Sequence, residues 1–295
     1  ISQSGVTGGA GAYLNPFMNG DRPYTFIEIF SQLAWGFGYC GMPHVLVRFM
    51  AVKNEKELKK SWAIAIVWDL LSLTAAFAIA VIGSGSDLLP VILGENGAAS
   101  SESVFIEMIR KVFTSELALP FIGGLFLCGI LAAIMSTADS QLLVTASAVS
   151  EDLYHSFIKK DADTEEILKV SRITVIAIAV IAFAIAWNPD SSIMGLVSNA
   201  WAGLGSAFGP IVVMSLFWRR TNLPGAIAGM VTGGLTVIIW DYIPLVGGQT
   251  LGTYTGLYSL AVGFLLSLVM IVIVSLVTKA PSKEITDEFD RVAAK

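Results

Sequence analysis

The sequence predicts an all-α polytopic membrane protein, a fold class indicated by its low charge and its long apolar stretches. Only 14% of the residues are charged, whereas a soluble domain has about 25%, and the mean hydropathy is +0.72. A helix needs about 20 apolar residues to cross the hydrocarbon core of a bilayer. Seven stretches come close to or exceed that length, approximately at residues 25–50, 61–83, 118–149, 170–187, 192–217, 224–243 and 255–277. We therefore expect a single transmembrane domain over residues 1–295 with seven crossings, whose polar end at 278–295 is a cytoplasmic tail.

The Lys and Arg residues between the crossings lie mostly on one side of the membrane. The connections after the first, third, fifth and seventh crossings hold Arg48, Lys53, Lys56, Lys59, Lys60, Lys159, Lys160, Lys169, Arg172, Arg219, Arg220, Lys279, Lys283, Arg291 and Lys295. The other side has only Arg22, Arg110 and Lys111. Because short cytoplasmic loops carry the excess of Lys and Arg, we expect a multi-pass protein of the cell membrane. Its N-terminus would be outside and its C-terminus cytoplasmic.

The chain opens with ISQSGVTGGAGAYLNPF, which has no starting Met, no basic region and no apolar core of a signal peptide. The stretch is typical of an extracytoplasmic loop, and it precedes an odd number of crossings. We therefore expect a fragment of a longer protein whose earlier crossings are missing.

Cys40 and Cys128 both lie within crossings, so no disulfide framework is predicted. The lipid bilayer is an expected partner and nucleic acid is not.

The first crossing contains AWGFGYCGMPH at residues 34–44, where Gly36, Gly38, Gly41 and Pro43 are crowded into the middle of the membrane. A broken helix leaves backbone N–H and C=O groups unpaired, at a cost of several kcal/mol each in hydrocarbon. Such a break therefore persists only where it lines a cavity or a water-filled path. Transporters build binding sites in this way. The alternative is a simple proline kink packed against small neighbours.

Trp35, Tyr39 and Pro43 follow one another at intervals of one helical turn in the same crossing. They share a face of the helix. This aromatic stripe either packs against another helix or lines the cavity that the break would create.

The long outside loop contains ESVFIEMIRKVF, which predicts a short amphipathic helix. Phe105, Met108, Ile109 and Val112 recur at i, i+3, i+4 and i+7 and so form one stripe. We expect this helix to lie against the bundle or the membrane interface; a cap over an outer vestibule is the alternative.

In the third crossing, LAAIMSTADSQLLVTAS places Ala133, Ser136, Thr137 and Ser140 on one helical face. Hydroxyl and carbonyl oxygens suit a hard cation such as Na⁺. Alternatively, these small polar residues let helices approach and hydrogen-bond to each other. Asp139 is two residues beyond Thr137 and so points away from this face. We expect its carboxylate to pair with a neighbouring helix or loop.

Two further crossings carry polar residues. Asp69 lies about 12 Å into the second crossing at 1.5 Å per residue, where it is a structural anchor or a second polar site. In the fifth crossing, Asn199 and Trp201 either face the cavity or belong to a tightly packed helix surface, which the surrounding glycines also favour.

Three long segments resemble the sodium:solute symporter family, and most closely its sodium/proline symporter branch. They are WGFGYCGMPHVLVRFMA, AAIMSTADSQLLVTASAVSEDLY and GLVSNAWAGLGSAFGPIVV, in the family's order. The resemblance implies thirteen crossings with an outside N-terminus, of which this chain resembles the seventh to the thirteenth. It also implies a core of two inverted repeats of five helices. The chain would then supply the second repeat and two extra helices.

The resemblance also implies site residues. Ala133, through its carbonyl, and Ser136 and Thr137, through their hydroxyls, match Na⁺ ligands. Trp35, Tyr39 and Pro43 match the residues on the substrate side of the broken helix. Cys40 and Met42 stand where proline symporters often have Phe and Gln, two departures from the pattern of that branch.

The expected function is secondary active transport, in which inward Na⁺ flow drives uptake of a small solute, with L-proline as the first candidate. No covalent chemistry is needed, so we expect a transporter and not an enzyme, with Na⁺ as coupling ion and no other cofactor. The alternatives are a symporter for pantothenate or another carboxylate, a transporter-like membrane sensor domain, and a passive channel.

Overall fold

The computed structural model describes residues 15, 17–19, 22–84, 102–187 and 192–293. The helices are α1 (Phe26–Gly38), α2 (Pro43–Met50), α3 (Glu55–Ser84), α4 (Val104–Ile109), α5 (Pro120–Ser147), α6 (Thr164–Ala186), α7 (Ile193–Phe217), α8 (Leu223–Tyr242), α9 (Leu251–Thr255), α10 (Ser259–Val277) and α11 (Lys283–Ala293). Two short antiparallel pairs join β1 (Met18–Asn19) to β2 (Arg22–Pro23) and β3 (Pro244–Val246) to β4 (Gln249–Thr250). A 3₁₀ turn at Tyr39–Gly41 follows α1, and π-helical turns at Arg110–Glu116 and Ala148–Ile158 extend α4 and α5.

Six helices among the described residues are long and apolar enough to cross a membrane. They are Glu55–Gly83, Pro120–Ile158, Thr164–Ala186, Ile193–Phe217, Leu223–Tyr242 and Ser259–Val277. The predicted all-α polytopic class is confirmed, and these helices overlap the second to the seventh predicted stretches.

Two of these helices begin six residues before the predicted stretches, because their charged ends are helical too. The first turn of α3 carries Glu55 and Glu57, and negative charge is favourable at a helix N-terminus. At the start of α6, the Asp163 side chain accepts a hydrogen bond of 2.8 Å from the backbone N–H of Glu166. A cap of this kind satisfies one of the unpaired N–H groups of a first turn, so the helix continues beyond its apolar part.

The predicted interruption of the first apolar stretch is confirmed. Helix α1 begins with a capping box between Thr25 and Glu28 and runs for 13 residues. After the 3₁₀ turn, Met42 is extended, with φ −87° and ψ 112°, and Pro43 opens the eight-residue helix α2. Proline is well suited to a first helical position because it has no N–H to leave unpaired.

The chain divides into two compact units. The first comprises Ile1–Asn15 and Val52–Ile193, and the second comprises Pro16–Ala51 and Met194–Lys295. In the first unit, the predicted amphipathic helix is confirmed at α4, where Ile109 is buried. The rings of Phe113 and Phe126 stack at 5.0 Å between the π-helical turns and α5.

The apolar helices of the first unit contain few fully buried residues. Of the most apolar 18-residue window, 0% is buried in α3 and in α6. In the second unit, the corresponding share is 39% in α10. Exposed Leu, Ile and Phe side chains on these helices suit contact with hydrocarbon.

The second unit is built on close packing of α8 against α10. Gly225, Gly229 and Gly233 recur every four residues on α8 and are buried. A Cβ atom at Gly229 would collide with Ile271 of α10. Small residues thus let the two helix backbones approach closely, and the Ser267 hydroxyl donates to the Gly229 carbonyl at 2.8 Å. This packing forms the base on which the candidate site rests.

Candidate functional site

The structure places Trp35, Tyr39 and Pro43 around the break between α1 and α2. Trp35 is in the last turn of α1, Tyr39 opens the 3₁₀ turn and Pro43 begins α2. Trp35 and Pro43 are half-buried, and Tyr39 is 51% exposed. The break therefore presents both exposed ring surface and the unpaired backbone groups of two helix ends.

Trp35 and Tyr39 belong to an aromatic cluster that also contains Trp201 of α7 and Tyr258, which precedes α10. The ring of Trp35 stacks on Trp201 with centroids 5.6 Å apart and on Tyr258 with centroids 5.9 Å apart. Tyr39 meets Trp201 edge to face at 4.9 Å, with an interplanar angle of 84°. Stacked and edge-to-face pairs at these separations are favourable aromatic geometries. The cluster gives the break a continuous aromatic wall.

Hydrogen bonds attach the cluster to α1 and α7. The indole N–H of Trp201 donates to the Trp35 carbonyl at 3.0 Å. The Tyr258 hydroxyl donates to the Ser198 carbonyl at 2.7 Å. The backbone N–H of Tyr258 donates to the Ser31 hydroxyl at 3.1 Å. The indole N–H of Trp201 and the hydroxyl of Tyr258 are therefore both paired within the protein.

The break packs directly on the backbone of α7. A Cβ atom at Gly41 would lie 2.6 Å from the Leu204 carbonyl oxygen and 2.8 Å from the Cα of Gly205. A Cβ atom at Gly38 would collide with the indole of Trp201. These two glycines allow close packing against α7, as the alternative of a kink packed on small neighbours also predicted. The extended backbone of Met42 nevertheless ends the first helical segment before α2 begins.

Of the two residues predicted in the fifth crossing, the structure brings only Trp201 to the aromatic cluster. Asn199 is exposed, and its side chain makes no hydrogen bond with the part of the chain that the structure describes. It is two residues before Trp201 and so lies on a different face of α7. Tyr258 is the residue that the sequence pattern did not reveal, because its partners are more than 50 residues away along the chain.

The predicted cation ligands lie on α5, in the first unit. The Thr137 hydroxyl is 3.2 Å from the Ala133 carbonyl oxygen, to which it donates, and the Ser140 hydroxyl donates to the Thr137 carbonyl at 2.8 Å. Ser136 is exposed beside them. Two oxygens about 3 Å apart can both contact one hard cation at the 2.3–2.6 Å distances typical of Ca²⁺, an ion of similar oxygen preference. Among the described residues, no group of three His, Cys, Asp or Glu side chains could hold a metal.

Asp69 and Asp139, the two acidic residues within crossings, are exposed. Neither side chain forms an ion pair or hydrogen bond with residues 15, 17–19, 22–84, 102–187 or 192–293. The partner expected for Asp139 is therefore not among these residues. Asp69 is not anchored by a polar side-chain contact to another described element, and its alternative role as a second polar site stays a prediction.

The six long apolar helices among the described residues define the chain as a polytopic α-helical membrane protein, in which the break between α1 and α2 is walled by aromatic rings. The profile of the sodium:solute symporter family matches residues 16–233, and the chain belongs to this family. The family indicated by the three sequence segments is thereby confirmed.

Named relatives narrow the comparison. The osmoregulated proline transporter OpuE of Bacillus subtilis (strain 168) is 44% identical over 257 residues, which are 87% of this chain and 49% of the relative. The high-affinity proline transporter PutP of the same organism is 38% identical over 96% of this chain and 58% of its own length. The sodium/proline symporter of Escherichia coli (strain K12) is 40% identical over 90% of this chain and 50% of its own length. The chain spans about half the length of the curated relatives it matches. No solved structure gives a significant match.

Proposed function

We propose that the protein containing this chain is a secondary active transporter in which inward flow of Na⁺ drives uptake of a small solute, with L-proline as the substrate. The observation that carries the proposal is the helix break at residues 39–42 with its aromatic wall, in a chain of the sodium:solute symporter family. Relatives at 38–44% identity are named as proline transporters and support the choice of solute.

Proline is a compact zwitterion with an apolar ring, and the break offers a partner for each part. Exposed ring surface of Tyr39 and the neighbouring Trp35 can pack against the apolar ring. The half-helix ends at Gly38 and Pro43 supply backbone groups and opposite dipole ends for the charged groups. Pro43 itself fixes the start of α2.

Ala133, Ser136 and Thr137 are the proposed Na⁺ ligands of this chain. The neighbouring carbonyl and hydroxyl oxygens of Ala133 and Thr137 support the assignment, and the adjacent Ser136 hydroxyl is free to join them. Na⁺ and solute would each raise the affinity for the other by the same factor, since a coupling free energy between two binding sites is reciprocal. Transport needs no covalent step and no cofactor beyond the coupling ion.

In the membrane, α1 and α2 together would form a first crossing ahead of the six long helices. The chain would begin outside and end in the cytoplasm, with α11 in the cytoplasmic tail. Residues 1–295 would act as one transmembrane domain that supplies the second of two inverted repeats of five helices, followed by two extra helices. Alternating access would then be a movement of this repeat against its counterpart.

Alanine substitutions on α5 test the proposal. We expect Ser136→Ala and Thr137→Ala each to raise the Na⁺ concentration for half-maximal proline uptake by about 10- to 100-fold, because each removes an oxygen from a small coordination shell around a charge. The measurement is Na⁺-dependent uptake of labelled proline into vesicles containing the whole protein, with expression matched.

Thr145→Ala is the matched control. The Thr145 hydroxyl makes the same kind of bond within α5, to the Gln141 carbonyl at 2.8 Å, but lies two turns away from Thr137. An equal shift in the control, or no shift in either test variant, contradicts the cation assignment. Uptake of pantothenate in place of proline would keep the Na⁺ site and replace the substrate.

A further inference from the structure

Trp201 touches both aromatic residues of the proposed solute wall, although it comes from a different helix 166 residues further along the chain. Its indole stacks on Trp35 at 14° and meets Tyr39 at 84°. Trp201 is therefore a neighbour that the two wall residues share, while Trp35 also stacks on Tyr258.

The indole of Trp201 is seated directly on the backbone of α1. Gly38 lies between Trp35 and Tyr39 in the sequence, and a Cβ atom there would occupy the position of the Trp201 ring. The carbonyl of Trp35 is among the last four of its helix, which have no partner within the helix. The Trp201 N–H bonds to this carbonyl at 3.0 Å. The indole thus supplies the hydrogen bond that the end of α1 requires.

Trp201 is supported by buried residues of the second unit. Trp201 and Tyr258 pack against the buried residues Ala202, Val237 and Leu260. The Tyr258 hydroxyl holds the Ser198 carbonyl, one turn before Trp201. Side chains fixed in this way hold a binding geometry more accurately than side chains on mobile loops.

We propose that Trp201 is a positioning residue for solute specificity: it holds the Trp35 and Tyr39 rings at a fixed angle and so sets the size of the solute ring that the wall accepts. This inference rests on the proposed role of Trp35 and Tyr39 at the solute. Without the indole, the Tyr39 ring loses its edge-to-face partner and the Trp35 ring keeps only its stack on Tyr258. The angle between the two rings is then no longer fixed, and the wall discriminates less by ring size.

The first measurement compares uptake of proline with competition by pipecolic acid, the analogue with a six-membered ring, in the whole protein. Trp201→Ala should raise the KM for proline and lower the preference for proline over pipecolic acid by about 2- to 10-fold, the range expected for loss of aromatic pairs. The Na⁺ concentration for half-maximal uptake should stay within about 2-fold. Trp201→Phe, which keeps a ring and loses the N–H, should recover most of the preference.

Trp240→Ala is the matched control. Trp240 also belongs to a helix of the second unit and also donates its indole N–H to a backbone carbonyl, that of Leu257 at 3.0 Å. It is outside the aromatic cluster. Its loss should lower the amount of folded protein without changing the preference between the two solutes, which separates positioning from general stability.

The second measurement needs no solute. Cys40 is half-buried and follows Tyr39 directly, so in a Cys128→Ser background its thiol reports on the break. Trp201→Ala should increase the rate of Cys40 alkylation by N-ethylmaleimide several-fold over the parent and over Trp240→Ala.

The two measurements separate the failures. A parent that does not take up proline with Na⁺ disproves the proposed function, and the alkylation rate still tests whether Trp201 orders the break. A parent that transports proline, combined with an unchanged solute preference in Trp201→Ala, overturns the inference alone.

Discussion

At the scale of single residues, Gly36 in α1 and Gly41 in the 3₁₀ turn differ in how closely they are packed. A Cβ atom at Gly36 would have no heavy atom within 4 Å. One at Gly41 would approach the Gly209 backbone nitrogen to 2.8 Å as well as the backbone of Leu204 and Gly205. Backbone atoms cannot move aside as a flexible side chain can, so only Gly41 is required by packing.

We predict that Gly41→Ala destabilises the protein by about 1–3 kcal/mol, the usual range for overpacking. Gly36→Ala should be neutral or stabilising by up to about 1 kcal/mol, because alanine loses less backbone entropy in a helix. Thermal unfolding of the two purified variants in one detergent measures both effects. Equal midpoints would mean that α7 does not contact the break as described.

The sequence was sufficient to predict the break itself, because glycine and proline act through local backbone geometry. The spacing also predicted that Trp35 and Tyr39 share a face, and both rings contact Trp201. The sequence could not assign Trp201 to the wall or Asn199 away from it, because that choice depends on how α7 is rotated against α1. Tyr258 joins the cluster through tertiary contacts that no periodicity records.

At the scale of elements, the connection between α7 and α8 holds the polar end of the chain. Arg219 binds Asp290 of α11 through two hydrogen bonds of 2.7 Å. Arg220 donates to the Thr278 carbonyl at 2.7 Å, and Asn222 donates to the Lys279 carbonyl at 2.7 Å. The predicted cytoplasmic tail therefore contains a helix that is attached to a loop rich in positive charge.

The attachment of α11 should depend on pH through Asp290. Bonding to the Arg219 guanidinium lowers the pKa of Asp290 below its ordinary value of 3.8. A carboxylate whose folded pKa is lowered contributes its stabilisation above the ordinary value and loses it as the pH falls through the lowered one. We expect release of α11 only as the pH falls below 3.8, towards the lowered pKa of Asp290. Both side chains are at least half exposed, so this release should occur without global unfolding.

Asp290→Asn should mimic this release at neutral pH. We predict faster tryptic cleavage at Lys283 in Asp290→Asn than in Glu284→Gln, which also removes one exposed negative charge from α11 but leaves the Arg219 contact intact. The measurement is the rate of tryptic cleavage at Lys283 in each variant, followed by mass spectrometry. Equal rates in the two variants would show that the ion pair does not hold the helix.

Element boundaries were predictable where apolar composition decides them and not where polar residues continue a helix. The ends of α7 and α8 fall within one or two residues of the predicted stretches. Helices α3 and α6 begin earlier because charged and capping residues extend them past the apolar part. The first stretch was predicted as one crossing but consists of two helices, each too short to span a bilayer alone.

At the scale of the whole molecule, the distribution of Lys and Arg determines the proposed orientation. The connection between α5 and α6 contains Lys159 and Lys160, whereas the hairpin β3–β4 contains neither Lys nor Arg. In the proposed topology these two regions lie on opposite sides of the membrane.

We predict that Gln249→Cys is labelled by a membrane-impermeant maleimide on intact cells and that Lys160→Cys is labelled only after permeabilisation. Both residues are exposed in the structure. The background carries Cys40→Ser and Cys128→Ser, so each variant has a single thiol. Labelling in the reverse order would invert the orientation and with it the proposed direction of transport.

The fold class followed from composition because burial in hydrocarbon requires long apolar helices and so leaves a strong signal in the sequence. The family followed from three long segments. The close packing of α8 against α10 could not be predicted from the sequence, since glycines at intervals of four residues suit many packing partners. Contacts between helices depend on shape, which apolar composition does not specify.

The most apolar parts of α3 and α6, in which no residue is buried, affect how the stability of this chain responds to temperature. In a soluble domain, unfolding moves apolar surface into water and raises the heat capacity, which curves the dependence of stability on temperature. When α3 or α6 separates from its neighbours in a bilayer, its Leu and Ile side chains only exchange one hydrocarbon surrounding for another. The heat-capacity change is then small. Cooling should therefore loosen these helices far less than it loosens the core of a water-soluble protein.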